Sequence, residues 1–246
     1  MKKLLICILC FTTVQCFAQF RVGVQGSFSS INFWSTDGYT GVPSQENTWQ
    51  LNAFQAGIVA EYDLGYSGLV LQPALLYSEN GSHLGQSQGL VSTGNYTISF
   101  TDTKLQYYSL RLPVNLLYAY RLDPKLKVFG GVGPYIAKTL SSTENGNSIG
   151  YIINGGNYEY QTETIDNKVK ISSDASSASS GISNVASIDV GMDILLGFQY
   201  KKLQVSASWN RGFSRMYHTS YVNMGNQFWN FTLGYMLFGH ERKPKL

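Results

Sequence analysis

At 246 residues, 14% aromatic and 13% charged, the chain carries about half the charged share of an ordinary soluble domain. Its mean hydropathy of −0.10 does not imply a bundle of apolar membrane helices. Formal net charge is +3 and falls to +1 once Lys2 and Lys3 are removed with a leader, which leaves no electrostatic footprint for nucleic acid.

The leader comes first. Lys2 and Lys3 precede a short apolar run, Leu4–Phe11, and Cys16-Phe17-Ala18 places small residues at the two positions a signal peptidase reads. Cleavage is expected after Ala18. That makes 1–18 the signal peptide, 19–238 a barrel domain and 239–246 a basic periplasmic tail. The apolar run is shorter than the ~20 residues of a spanning helix. Cys7, Cys10 and Cys16 all lie in the leader, so the Cys7–Cys10 spacing belongs to its apolar core rather than to a redox motif. A lipoprotein signal ending at Cys16 is the alternative, but Gln15 is bulky where that signal wants a small residue. The mature chain therefore has no disulfide to lean on, and its stability must come from a closed sheet.

Alternation then predicts strands. In Phe20–Ser30, Phe20, Val22, Val24 and Phe28 oppose Arg21, Gln25, Ser27 and Ser29. A polar segment, Ile31–Leu51, leads to Ala53–Asp63, where Phe54, Ala56, Ile58, Ala60 and Tyr62 oppose Gln55, Gly57 and Glu61. A tight connection gives Gly68–Ser78, and a long polar stretch, Glu79–Lys104, follows, in which Tyr96–Phe100 extends the next strand. The clearest pattern is the hairpin Tyr108–Tyr120 and Leu126–Ala137. Tyr108, Leu110, Leu112, Val114, Leu116, Tyr118 and Tyr120 share one face, with tyrosines at both ends as in a strand crossing between two aromatic girdles. Thr139–Ala186 reads as the longest irregular stretch. Within it Tyr151–Ile153 and Tyr158–Gln161 pair across an Asn-Gly-Gly-Asn turn, and Ser172–Ser183 offers little to bury. Ile188–Tyr200 and Leu203–Asn210 form a second tight hairpin, and Gln227–Phe238 closes the series after the link Gly212–Gly225.

The connections run long, short, long, short, long, short, fairly long. The fold class is all-β: a transmembrane antiparallel up-and-down β-barrel of about 8 strands (10 being the alternative count), with long extracellular loops and short periplasmic turns. No charge lies on the lipid faces along the strand centres. The location is the outer membrane of a Gram-negative cell, in contact with outer-membrane lipid, and a monomer is expected.

Three stretches carry a resemblance: LQPALLYSENG (Leu71–Gly81), LRLPVNLLYAY (Leu110–Tyr120) and FGGVGPYIA (Phe129–Ala137). Together they resemble the small outer-membrane β-barrel proteins of the porin-family or PorT-like type. Those show a Q-P-x-L-x-Y-S element, an L-x-x-P strand and a G-x-G-P-Y element in this order. Phe238, however, is followed by eight further residues. The resemblance implies the barrel type and, through one member type, an accessory role in a protein-secretion machine.

Candidate functional residues fall in two groups. Arg21, Glu61, Arg111, Asn115, Asp189 and Asp193 face away from lipid. An eight-stranded barrel has an interior just wide enough for side chains, so these form an internal polar network with Arg111 near its middle and Glu61 or Asp193 as partner. Trp34, Tyr39, Trp49, Tyr151, Tyr158 and Tyr160 lie in or beside the outside loops, where aromatics suit recognition of an extracellular protein or glycan.

Signals for chemistry are few. His218-Thr219-Ser220 matches the H-x-S element of lipid A deacylases, but no glutamate follows before the end of the last strand to orient the histidine. No metal spacing is visible, no cofactor is implied, and Gly130-Gly131-Val132-Gly133 reads as close strand packing rather than a phosphate loop. The expected role is non-enzymatic, structural or surface-interacting, with a filled or narrow lumen. Porin-like passage of small solutes is the first alternative and a lipid A-modifying enzyme the last.

Overall fold

The computed structural model describes residues 20–37, 48–49, 51–65, 68–92, 95–154, 157–173, 184–218 and 222–239. The expected signal peptide, Tyr39, most of the Ser-rich run, Thr219, Ser220 and the basic tail past Gly239 lie outside them.

Eight antiparallel strands build the wall: β1 (Phe20–Asp37), β2 (Leu51–Asp63), β3 (Leu69–Ser92), β4 (Asn95–Asp123), β5 (Leu126–Asn154), β6 (Ile188–Tyr200), β7 (Leu203–Gly212) and β8 (Val222–Gly239). Each pairs with the next, and β8 returns to β1 in a ladder from Arg21 opposite Gly239 to Asp37 opposite Val222. The ring has eight strands rather than ten, and closure removes the unpaired edge that a bilayer does not tolerate.

The two-residue period decides which way each side chain faces. On β4, Leu110, Leu112, Leu116, Tyr118 and Tyr120 are exposed, whereas Ser109, Arg111, Pro113, Asn115 and Leu117 are buried. β6 repeats this with Ile188, Val190, Met192, Ile194, Leu196 and Phe198 outside and Asp189, Asp193, Leu195 and Gln199 inside. A wide exposed apolar wall around a polar interior is the inverse of a soluble protein and fits a lipid solvent.

The tight connections all lie at one end. Pro124-Lys125 joins β4 to β5, Lys201-Lys202 joins β6 to β7, and 64–68 joins β2 to β3. Lys201 has φ 54°, the left-handed backbone that two-residue hairpin turns require. Its N–H donates to Lys125 O at 2.7 Å and ties the two turns together.

The other end departs from the sequence expectation. β4 runs for 29 residues, about 95 Å at roughly 3.3 Å per residue, while a tilted crossing takes about 9–11 residues. Above the girdle marked by the stacked rings of Tyr77 and Tyr108 (centroids 5.7 Å apart), β3, β4 and β5 continue as one sheet to Ser92, Asn95 and Asn154. Asn157–Lys168 folds back on β5, and Thr48–Trp49 adds to β3. Residues 79–92 and 95–104 and much of Thr139–Ala186 are thus strands, not loops. Above the girdle the backbone ladder persists, but the sequence no longer alternates between apolar and polar residues as it does across the bilayer. The hairpin expected around 154–157 is present, with Tyr151 opposite Tyr160 and Ile153 opposite Tyr158.

Inside, aromatic rings lie across gaps left by glycines. A Cβ on Gly197 would stand 2.7 Å from Phe129 Cζ, and one on Gly191 would stand 2.6 Å from the Tyr135 ring. The Gly130–Gly133 run also packs closely: a Cβ on Gly131 or Gly133 would lie 2.2 Å from a β4 carbonyl oxygen, that of Leu116 or Val114.

Candidate functional site

The lumen is filled in three tiers. Nearest the tight turns, Glu61 of β2 is 2% exposed and stands opposite Arg21 of β1 in register. Its carboxylate accepts hydrogen bonds from Arg21 and Gln204, from Gln72 Nε2 at 3.0 Å and from Lys127 Nζ at 3.4 Å. Gln204 Nε2 also donates to Gln199 Oε1 at 3.1 Å. Two cations and two amides from four strands, β1, β3, β5 and β7, therefore converge on one acid of β2. Such convergence is what makes burial of a charge tolerable.

In the middle, Arg111 pairs with Asp193. Asn210 Nδ2 donates to the same carboxylate at 2.5 Å, Asn230 bonds Asn210, and Ser29 Oγ donates to Asn230 Oδ1 at 2.5 Å. This belt joins β4, β6, β7, β8 and β1. The Arg111 guanidinium also lies 4.1 Å from the centre of the Tyr135 ring and 5.1 Å from that of Phe228, a desolvated cation–π arrangement.

The upper tier centres on Asp189, which accepts from Tyr135 Oη at 3.0 Å and Asn226 Nδ2 at 2.6 Å, while Tyr107 bonds Asn226. Between the upper two tiers lies a cavity of about 10 Å³, lined by Tyr107, Arg111, Tyr135, Asp189, Asn226 and Phe228 among others. That is about the space one water occupies, far below a solute path.

A lid of apolar side chains closes the outer mouth. Phe33 of β1, Leu105 and Tyr107 of β4 and Met224 of β8 pack against Met216 and against Val169, Val185 and Ala186 from the chain returning from the outer sheet. A short parallel pair, Lys170–Ser172 with Asn184–Ala186, holds that returning chain in place. Val185 and Leu105 are fully buried.

The residues expected to form one polar network are divided among these tiers. Arg111 takes Asp193, not Glu61, and Glu61 serves Arg21 and Lys127 instead. Asn115 is buried in the lumen, and its Oδ1 has no hydrogen-bond partner among the described residues. The sequence reading missed Lys127, Gln72, Tyr107, Tyr135, Asn226 and Asn230 as members. All sit at inward positions that the same two-residue period marks, Tyr107 and Asn226 one residue outside the expected strands. Lys127 was hidden by its place beside a turn, and Tyr107 by its place just above the girdle.

The six aromatics separate. Trp34 lies on the rim of β1, its Nε1 donating to Gly212 O at 2.9 Å and its ring 5.5 Å from the Arg211 guanidinium carbon. Trp49, Tyr151, Tyr158 and Tyr160 all fall on strands of the outer sheet, and Tyr160 is 59% exposed. The side chains of Trp49, Tyr151 and Tyr158, like Tyr39, lie outside the described residues. Among the described residues no three of His, Cys, Asp and Glu are arranged to hold a metal ion.

Several solved structures resemble the chain. Ail, the attachment invasion locus protein of Yersinia pestis, is 8% identical, with 89% of this chain and 99% of that one covered and a TM-score of 0.37. Neisserial surface protein A is 14% identical, with 88% and 97% covered and a TM-score of 0.36. The toluene transporter TodX of P. putida is 9% identical, with 91% of each covered and a TM-score of 0.27. These values are too low to bear on what this chain binds or passes. No curated protein sequence matches it. A family model, by contrast, matches residues 17–218. With a closed eight-stranded ring, a lipid-facing apolar wall and that match over most of its length, the chain belongs to the outer membrane protein beta-barrel domain family and resides in the outer membrane.

Proposed function

We propose that this barrel is a non-enzymatic, monomeric surface-interaction protein whose lumen stays shut and whose outer sheet makes the contacts. The filling of the lumen carries this reading: two ion-paired tiers, a third built on Asp189, and an apolar lid occupy it among the described residues, with a cavity of about 10 Å³ between the upper tiers. The outer sheet supplies the surface. Asn157–Lys168 pairs on one side with β5, and its Tyr160, Gln161, Thr162, Glu163 and Thr164 are exposed. An aromatic among small polar and acidic residues suits an extracellular protein or glycan.

Liposome swelling tests the closed lumen. Vesicles carrying the refolded barrel are expected to swell in a small sugar no faster than empty ones, and swelling that follows sugar size would support solute passage instead. Cells displaying the barrel are then compared with cells displaying a version lacking 157–168. Loss of binding to an extracellular-matrix protein or glycan panel in the shortened version supports the contact surface, and equal binding argues against it.

A further inference from the structure

We propose that the tight-turn end holds an anionic phospholipid of the periplasmic leaflet, its phosphate on the Lys201-Lys202 turn and an acyl chain in a groove on the outer wall above it. Two independent features meet there. The first is an open depression of about 570 Å³ on the lipid-facing side, within the roughly 300–1,000 Å³ of ligand pockets. It arises because Ala207 of β7 is small and stands in register between Leu196 of β6 and Phe231 of β8, which are 70% and 64% exposed. One residue pair lower, Val205 stands between Phe198 and Leu233 and continues the trough toward the turn.

The second feature is charge. Arg121, Lys125, Lys201 and Lys202 are exposed on two adjacent turns against a single acid, Asp123, whose Oδ1 accepts the Lys125 N–H at 3.0 Å. The third turn carries Asp63 and no lysine or arginine, so among the three turns the positive charge lies on the two beneath the groove. Phe198 and Val205 are three residues from Lys201 and Lys202, about 10 Å along the strands. That distance separates the head of an acyl chain from its phosphate with room for the glycerol. Lys202 Nζ donates to Leu237 O at 3.2 Å and retains further N–H donors. Lys201 Nζ lies 5.5 Å from the centre of the exposed Tyr200 ring, at the girdle level where head groups sit. Four cations against one carboxylate on these two turns favour an anionic head group over a zwitterionic one.

Trp209 and Trp229 face each other one step above the groove and report on it. The barrel is reconstituted in phosphatidylcholine containing about one lipid in ten of acyl-brominated phosphatidylglycerol, or the same share of acyl-brominated phosphatidylcholine. Brominated phosphatidylglycerol is expected to quench tryptophan as though enriched about three-fold or more, and brominated phosphatidylcholine as its bulk share predicts. Lys201→Asn with Lys202→Gln keeps a residue that tolerates the left-handed turn and should abolish the enrichment. Ala207→Phe fills the groove, leaves the lysines and should lower it. Heat-dependent gel migration checks that each variant is folded. Equal quenching by the two lipids, or enrichment that survives either variant, overturns the proposal.

Discussion

Arg111 on β4 and Asp193 on β6 meet inside the barrel although β5 stands between them in the wall. Both are 3% exposed. Their contact spans the lumen instead of running along the sheet, so it links strands that the backbone ladder does not.

Removing one partner leaves the other charged and buried. Arg111→Leu is expected to destabilise the barrel by about 3–5 kcal/mol, and Arg111→Leu with Asp193→Leu to recover most of that loss. Urea unfolding in lipid vesicles, followed by tryptophan fluorescence, measures both. An unchanged Arg111→Leu barrel would refute the network.

Glu61 is shared by two cations, and each of those is partly replaceable. Glu61→Gln removes the carboxylate charge that Arg21 and Lys127 share and should cost about 3–5 kcal/mol. Lys127→Met leaves the Arg21–Glu61 pair intact and should cost about 1–3 kcal/mol. Reversal of that order in the same unfolding assay would mean that Glu61 is not the hub of its tier.

The outer wall gives a prediction of opposite chemistry. Leu112 sits on the lipid face one residue from Arg111, and Leu112→Arg should cost about 2–4 kcal/mol near the midplane. Folding yield into vesicles and the urea midpoint should both fall. Unchanged values would mean that this face does not meet hydrocarbon.

Above the bilayer, Glu144 of β5 stands opposite Leu105, and burial pushes its carboxyl above its ordinary value despite a hydrogen bond from Thr103. The folded sheet therefore holds that proton more tightly than the unfolded chain does. The stability this contributes is complete below the unfolded value and is lost as pH rises through the folded one. Glu144→Gln should slow hydrogen exchange at Leu105 near about pH 7 and change little near about pH 4. Slower exchange in the variant at the acid end alone would reverse the sign and contradict the burial argument.

Much of this was legible in residues 108–120, where one strand shows lipid face, lumen face and girdles together. Period two needs only a contrast between two solvents, and the bilayer supplies it. The outer continuation of β3, β4 and β5 was not legible, because stretches such as Gly85–Gly89 are small and polar without alternation and look like loop. Tyr96–Phe100 gave the one hint. The period turns Arg111 inward, but the choice of Asp193 over Glu61 depends on barrel stagger, which no single strand encodes. The lid was hidden for a similar reason: Val169 and Val185 are isolated valines in polar sequence until the returning chain stacks them on Met216 and Met224.

Single-channel recording on the refolded full-length barrel in a planar bilayer addresses the closed lumen most directly. A barrel that is folded by heat-dependent gel migration and shows no discrete openings is the predicted result. Reproducible ohmic steps from that same folded material would contradict it, and would make the gap between Arg111 and Asp189 the place to look for the path.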